Sequence, residues 1–273
     1  MSDVNRRVLP GFRLGLTVTL AYITLLVLIP LVAVVLRAST LGWEGFLAAA
    51  WTPQAKAAYL VTFGTSFAAA AVSAALGLLI AWVLVRYEFF GKRILDAMVD
   101  LPFALPTAVA GLVYSSLYVK TGWLGQYLVP LGIEGANSKF AIVLVLTFIG
   151  FPFVVRSIQP VLETIDVELE EAASCLGATR WQTFRYVILP TLTPALVTGF
   201  ALSFARGLGE YGSVVFVASN KPFDTQIAPM LVVSFLENSH YEEAAAVATV
   251  LLAGSLAMLL VINILERWSS RHA

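Results

Sequence analysis

Stretches of about 20 mostly apolar residues recur along the chain, at roughly 14–36, 60–85, 102–119, 140–160, 194–218 and 244–265. Nothing else in the sequence narrows the fold so far. Hydrocarbon offers the backbone no hydrogen-bond partners, so a crossing segment must satisfy its own amides, as a helix does. The expectation is an all-α membrane protein with six transmembrane helices. It divides into a polar arm at 1–13, a transmembrane domain at 14–265 and a tail at 266–273. Composition agrees: 59% of the 273 residues are hydrophobic and 12% charged, about half the charged share of a soluble chain. The first apolar stretch is too long for a signal peptide and lacks a cleavage pattern, so it reads as a retained anchor.

Charge gives the orientation. With both termini in the cytoplasm, the inner side holds Arg86, Lys92, Arg93, Arg156, Arg180 and Arg185 besides the basic residues of both ends. The outer side holds Arg37, Lys56, Lys120, Lys139 and Lys221. The inner excess favours this arrangement. Formal net charge is zero, which gives no reason to expect nucleic acid. Cys175 is the only cysteine, so neither an intramolecular disulfide nor a thiolate metal site can form. His240 lies beside Glu242 and Glu243 in the loop 219–243, but one histidine makes a poor metal site, and a solvated loop is the expectation.

One long polar stretch interrupts the apolar pattern on the inner side, Glu163 to Pro190. Asp166 is placed to cap a helix, and Glu168 and Glu170 suit its positive end. Leu169, Ala172, Ala173 and Leu176 form an apolar stripe, and Gly177 offers a C-cap or tight turn. Thr179 and Gln182 have capping-box spacing for a second helix. Trp181, Phe184 and Ile188 give that helix an apolar face, and Pro190 is expected to end it.

This stretch resembles the EAA loop of ABC-importer permeases. Glu171-Ala172-Ala173, Gly177, Val187 and Leu189-Pro190 keep that pattern's spacing. The resemblance implies a type I importer permease (MetI-like) fold, with this loop as the coupling helix that docks on an ATPase subunit. It carries the coupling role to Glu171, Ala172, Ala173, Gly177, Leu189 and Pro190. The segments Leu101–Leu112, Phe151–Glu163 and Leu189–Phe216 extend the likeness to the sulfate and thiosulfate permeases among those importers, the CysT (or CysU) type. That likeness covers nearly the whole chain and is weakest at 120–139 and 219–243. It implies a bacterial inner-membrane protein with a second permease of CysW type, two ATPase subunits of CysA type and a periplasmic sulfate- or thiosulfate-binding protein. ATP and Mg would reside on the ATPase, and no cofactor or metal is expected here. Molybdate and tungstate permeases share the layout and are the alternative.

Two places inside the apolar stretches are chemically expensive. Pro102 and Pro106, with Thr107 and Gly111 following, suit a plain lipid-facing helix poorly. They read equally as a pore-lining or gating bend and as a kinked helix start. Gly150-Phe151-Pro152 suggests a matching break. Arg206 and Glu210 stand four apart, as on one helical face, in a segment where a charge costs about 2.5–3.5 kcal/mol. They are either a structural pair or part of a pathway in which Arg206 meets an oxyanion. Gly207, Gly209 and Gly212 leave room there, and the family shares the pattern R-x-x-G-E-[FY]-G. The alanine- and serine-rich run 68–77 predicts close helix packing.

Other function classes fit less well. No phosphate-binding loop exists, since Gly91-Lys92 is followed by arginine, so energy must come from a partner. An intramembrane serine protease needs a histidine at span depth, and the two histidines, His240 and His272, lie in a loop and the tail. An ion-coupled transporter would leave the EAA pattern without a purpose.

Overall fold

The computed structural model describes residues 12–269. Residues 1–11 and 270–273, most of the expected arm and part of the tail, lie outside the described residues. The chain is built of helices. Among the described residues, five helices are long and apolar enough to cross a membrane: α1 (Phe12–Ser39), α3 (Pro53–Arg86), α7 (Lys139–Glu163), α9 (Arg180–Leu208) and α12, which is Tyr241–Ser269. Between them lie α2 (Gly42–Ala50), α4 (Lys92–Val99), α5 (Leu101–Ala104), α6 (Thr107–Tyr118), α8 (Val167–Cys175), α10 (Val214–Val217) and α11 (Ala228–Glu237).

The centre of the bundle is α3, α7 and α9, packed on one another. Small residues make this possible, as the run 68–77 predicts. A Cβ added at Gly77 would sit 2.7 Å from Val154 Cγ1, and one at Gly199 would sit 2.8 Å from Val154 Cα. Ser66, Ala69, Ala70 and Ser73 of α3 are buried on the same helix. Ile142, Val145, Val154, Val155, Ile158 and Leu162 fill the space around α7.

Four boundaries differ from the sequence expectation, each for a backbone reason. The stretch 102–119 is not one helix. Leu105 (φ −81°, ψ 132°) and Pro106 (φ −57°, ψ 130°) are extended, which separates α5 from α6. A residue before proline is pushed out of the helical region, so Leu105 yields first. The stretch 194–218 also ends early: α9 stops at Leu208, and Gly209 to Ser213 form a turn before α10. By contrast, no break occurs at Gly150-Phe151-Pro152. Pro152 and Pro160 both lie inside α7, which runs unbroken through both. Close neighbours on both sides hold its course, and Ser73 Oγ donates to Thr147 O at 3.3 Å. Finally, Pro190 does not end a helix.

The reason at Pro190 is a wider turn. Residues Phe184–Ile188 are π-helical, and the Leu189 N–H reaches back to Phe184 O. Proline has no N–H to return to the previous turn; the register shift just ahead of it lets the helix continue. α1 uses the same device: Thr24–Leu28 is π-helical, Ile29 N–H bonds Thr24 O, and Pro30 follows.

The loops are more ordered than expected. The connection between α1 and α3 contains α2. The stretch 219–243, read as a solvated loop, holds α11, whose Ala228, Met230 and Leu231 are buried. The Ala228 N–H donates to Thr62 Oγ1 of α3 at 2.7 Å, which satisfies an amide at the helix start.

Candidate functional site

The polar stretch forms a helical hairpin at one end of the bundle. α8 ends in a full glycine cap: Gly177 adopts φ +82°, Gly177 N–H bonds Ser174 O at 3.0 Å, and Ala178 N–H bonds Ala173 O at 3.0 Å. This geometry needs a residue free of a Cβ penalty at the left-handed position. α9 then starts on the predicted capping box, with Gln182 N–H on Thr179 Oγ1 at 3.3 Å and Thr179 N–H on Gln182 Oε1 at 2.7 Å. Asp166 occupies the cap position of α8, but its side chain makes no capping bond.

The hairpin is pinned at its base and bare at its tip. Ile165 and Ile188 are buried, and Phe184 packs edge-on to Trp82 of α3, ring centres 5.6 Å apart. Arg86, at the end of α3, lies over Trp82 and bonds Glu170 at 2.5 Å. α8 itself buries no residue. Leu169 and Leu176 of its apolar stripe are exposed, as is Trp181. Glu171, Ala172, Gly177 and Pro190 are exposed, and Ala173 and Leu189 half-buried.

The two broken helices meet in the second site. A Cβ at Gly111 of α6 would sit 2.3 Å from Ser213 O, and one at Gly212 would sit 2.4 Å from Thr107 Oγ1. Glycine at both positions is what lets the two backbones touch. Arg206 lies in the last turn of α9, and Glu210 lies beyond its end, so the pair does not share a helical face as the spacing suggested. The turn at Gly209 carries Glu210 under the helix end instead. Its Oε2 accepts from Arg206 at 2.5 Å and its Oε1 accepts the Ser213 N–H at 2.8 Å. The Glu210 side chain is 3% exposed and that of Arg206 34%. One carboxylate thus orders the turn through the Ser213 N–H and neutralises a guanidinium that stays open on one side. Pro106 directly precedes Thr107 in the chain, and Thr107 is beside this group across Gly212. Pro102 is not; it is buried one turn before the break, next to Phe103, whose ring meets Phe153 edge-on at 5.0 Å.

A third cluster escaped the sequence reading. Arg156 of α7 donates from Nε and Nη2 to both oxygens of Asp100 at 2.8 and 2.7 Å. Its Nη1 donates to Asp96 Oδ1 at 2.7 Å and Gln159 Oε1 at 2.6 Å, and Nη2 reaches Asp96 O at 2.9 Å. The Gln159 amide donates to Asp96 as well, at 3.1 Å. The Gln159 hydrogen bond is the largest influence on the Asp96 carboxyl; desolvation opposes it, and the hydrogen bond and charge of Arg156 and the charge of Lys92 add to it, so the group is held below its ordinary value. The available signal was an arginine in the long apolar run of α7, with two acids four residues apart outside it.

Comparison with known proteins bears on these features together. Residues 73–273 match the family model described as binding-protein-dependent transport system inner membrane component. The sulfate transport system permease protein CysT of Synechocystis sp. is 51% identical over 94% of this chain and 90% of its own length. Its namesake in Escherichia coli (strain K12) is 46% identical over 96% and 95%. Among solved structures, a bacterial ABC transporter involved in alginate import aligns with a TM-score of 0.76 at 18% identity, over 94% of this chain and 96% of that one. The inward-facing MetNI methionine transporter aligns at 0.58 and 19%, over 77% and 93%. These last two give the fold: the MetI-like permease arrangement expected from the EAA pattern. The chain is therefore a permease subunit, not an enzyme, and belongs to the family of binding-protein-dependent transport inner membrane components of ABC transporters.

Proposed function

We propose that the chain is the transmembrane subunit of an ATP-driven importer that carries sulfate, and thiosulfate with it, across the inner membrane. The observation that carries this reading is 46–51% identity, over at least 94% of the chain, to permeases named for sulfate transport. Both termini are cytoplasmic in this reading, which the basic excess on that side supports. The hairpin then faces the cytoplasm. Glu171, Ala172, Ala173, Gly177, Leu189 and Pro190 form or frame the face that docks on an ATPase subunit. Its support is physical: a capped helix whose apolar stripe buries nothing on its own chain has its partner elsewhere.

Two ATPase subunits of CysA type hold ATP and Mg, a CysW-type permease completes the pathway, and a periplasmic binding protein delivers the anion. Closure of the ATPases draws the hairpins together and biases the bundle toward its outward-open arrangement. This is a population shift whose size equals the difference in contacts between the two states. Pro106, Thr107 and Arg206 line the route, with Glu210 behind Arg206 and Pro102 packed one turn before the break. The open side of the Arg206 guanidinium meets the passing oxyanion, and Glu210 holds it in place between cycles.

The test is uptake of labelled sulfate and labelled molybdate in cells lacking only this chain, with and without complementation. Sulfate uptake alone should fall and return. A response of molybdate alone would overturn the substrate and leave the importer class standing.

A further inference from the structure

The helix α4 is held to the bundle in an unusual way. Of its residues Lys92–Val99 only Val99 is buried. Ile94, Leu95 and Met98 are exposed. A cleft of about 700 Å³ with mixed walls opens on one side of it, lined by Glu88, Lys92, Asp96 and Glu163 and by Phe89 and Phe90. An apolar cleft of about 460 Å³, lined by Leu95, Met98 and Phe151, opens on the other. Across this thinly packed region a single guanidinium spends all five of its donors: two on the Asp100 carboxylate, one on the Asp96 carboxylate, one on the Asp96 backbone carbonyl and one on Gln159. A planar fork bound on both edges fixes orientation as well as distance.

What the fork connects matters more than its strength. Arg156 sits on α7 about two turns before Glu163, where the chain enters the EAA hairpin. Asp100 directly precedes α5 and the Leu105-Pro106 break. The Phe103–Phe153 ring contact is a second tie between α7 and this segment, and α9 reaches the other side of the break through its turn, where Gly212 meets Thr107.

We propose that Arg156 is a positioning residue for transport: it makes α4 and the broken helix move with α7, so that displacement of the hairpin reaches the break at Pro106. This rests on the reading of the hairpin as the ATPase-docking element. Lysine in its place keeps the charge but cannot hold both carboxylates in one plane. Glutamine keeps neither.

The test uses the complete transporter, reconstituted with its partner permease and ATPase subunits and supplied with the binding protein. Labelled sulfate taken up per ATP hydrolysed is compared for the wild type, Arg156→Lys and Arg156→Gln. Arg156→Gln should retain its ATPase subunits and hydrolyse ATP at near the wild-type rate, while uptake per ATP falls about tenfold, within the range of ordinary coupling free energies. Arg156→Lys should fall between the two. A wild-type ratio in an assembled Arg156→Gln complex overturns the proposal, and so does equal loss of uptake and hydrolysis. If Arg156→Gln does not assemble, a wild-type ratio in Arg156→Lys overturns it.

A second measurement needs no ATPase. Spin labels on Cys175, the native cysteine of α8, and on Leu105→Cys report the distance between hairpin and break. The distribution should be narrow with Arg156 and broaden in Arg156→Gln. An unchanged distribution overturns the linkage. Failure of any ATPase to accompany the wild-type chain overturns the hairpin's docking role instead, and the distance measurement still decides the linkage.

Discussion

Arg206 and Arg156 are both arginines in apolar helices paired with carboxylates, yet their surroundings are opposite. Glu210 is buried to 3% exposure and belongs to the turn that directly follows the helix carrying Arg206. Asp96 and Asp100 are 43% and 49% exposed and stand on α4 and on the residue that follows it, away from the helix of Arg156. A buried carboxylate lends its partner much of its stability, because removing either leaves an uncompensated charge. Half-exposed carboxylates contribute little stability, because water competes for them. The first pair is therefore expected to decide whether the break forms. The second decides where a helix stands once the bundle has folded.

That contrast breaks most readily at Glu210. Glu210→Ala strands the Arg206 guanidinium and leaves the buried Ser213 N–H without its acceptor, so it should destabilise the chain by about 3–5 kcal/mol. Thermal unfolding in detergent checks this; a midpoint near that of the wild type would mean the turn stands without its carboxylate. Gly111→Ala comes next. Its new Cβ would sit 2.3 Å from Ser213 O, a backbone atom that cannot rotate aside. Overpacking of this kind costs about 1–3 kcal/mol. A normal midpoint would show that α6 and the turn at Ser213 can separate freely. Asp100→Asn tests the other region. It should shift stability by about 1 kcal/mol or less, as an exposed ion pair does, while lowering sulfate uptake per ATP. A large loss of stability there would erase the distinction between the two arginines.

Much of this was legible in the residues, and the pattern of what was not is instructive. The hairpin was readable almost bond by bond, because Gly177, Thr179 and Gln182 act through local backbone chemistry that sequence spacing fixes. The small residues of α3 were readable for the same reason. Proline was harder. Pro106 breaks a helix while Pro152, Pro160 and Pro190 do not, since each outcome depends on neighbours: extended Leu105, the flanking helices of α7, and the π turn before Leu189. Glu210 was found with its partner, but the turn at Gly209 that places it beyond the helix end was missed. The Arg156 cluster was missed altogether because Asp96, Asp100 and Arg156 are distant in sequence, and only the fold brings them together.

The smallest expected effect separates the two regions by pH. Asp96 is held below its ordinary value of 3.8, first by the Gln159 amide and then by Arg156, with the charge of Lys92 adding to it. A lowered acid contributes stability that is present above the unfolded-state value and is lost as pH falls through the folded-state value. The unfolding midpoint of the wild type should therefore exceed that of Asp96→Asn by a small, constant margin at neutral pH. The margin should narrow only as pH drops below 3.8. The asparagine retains the size of the side chain and its carbonyl acceptor, so the difference isolates the charge. With Asp96 nearly half exposed, the margin at neutral pH is expected to stay under about 1 kcal/mol. A margin that persists unchanged in acid would mean that asparagine harms the Gln159 and Arg156 geometry by shape, and that charge has no part in holding α4. A margin that closes well above pH 3.8 would mean that the carboxylate is not favoured by its neighbours, and the hydrogen bonds from Gln159 and Arg156 could not then persist in solution as they stand in the structure.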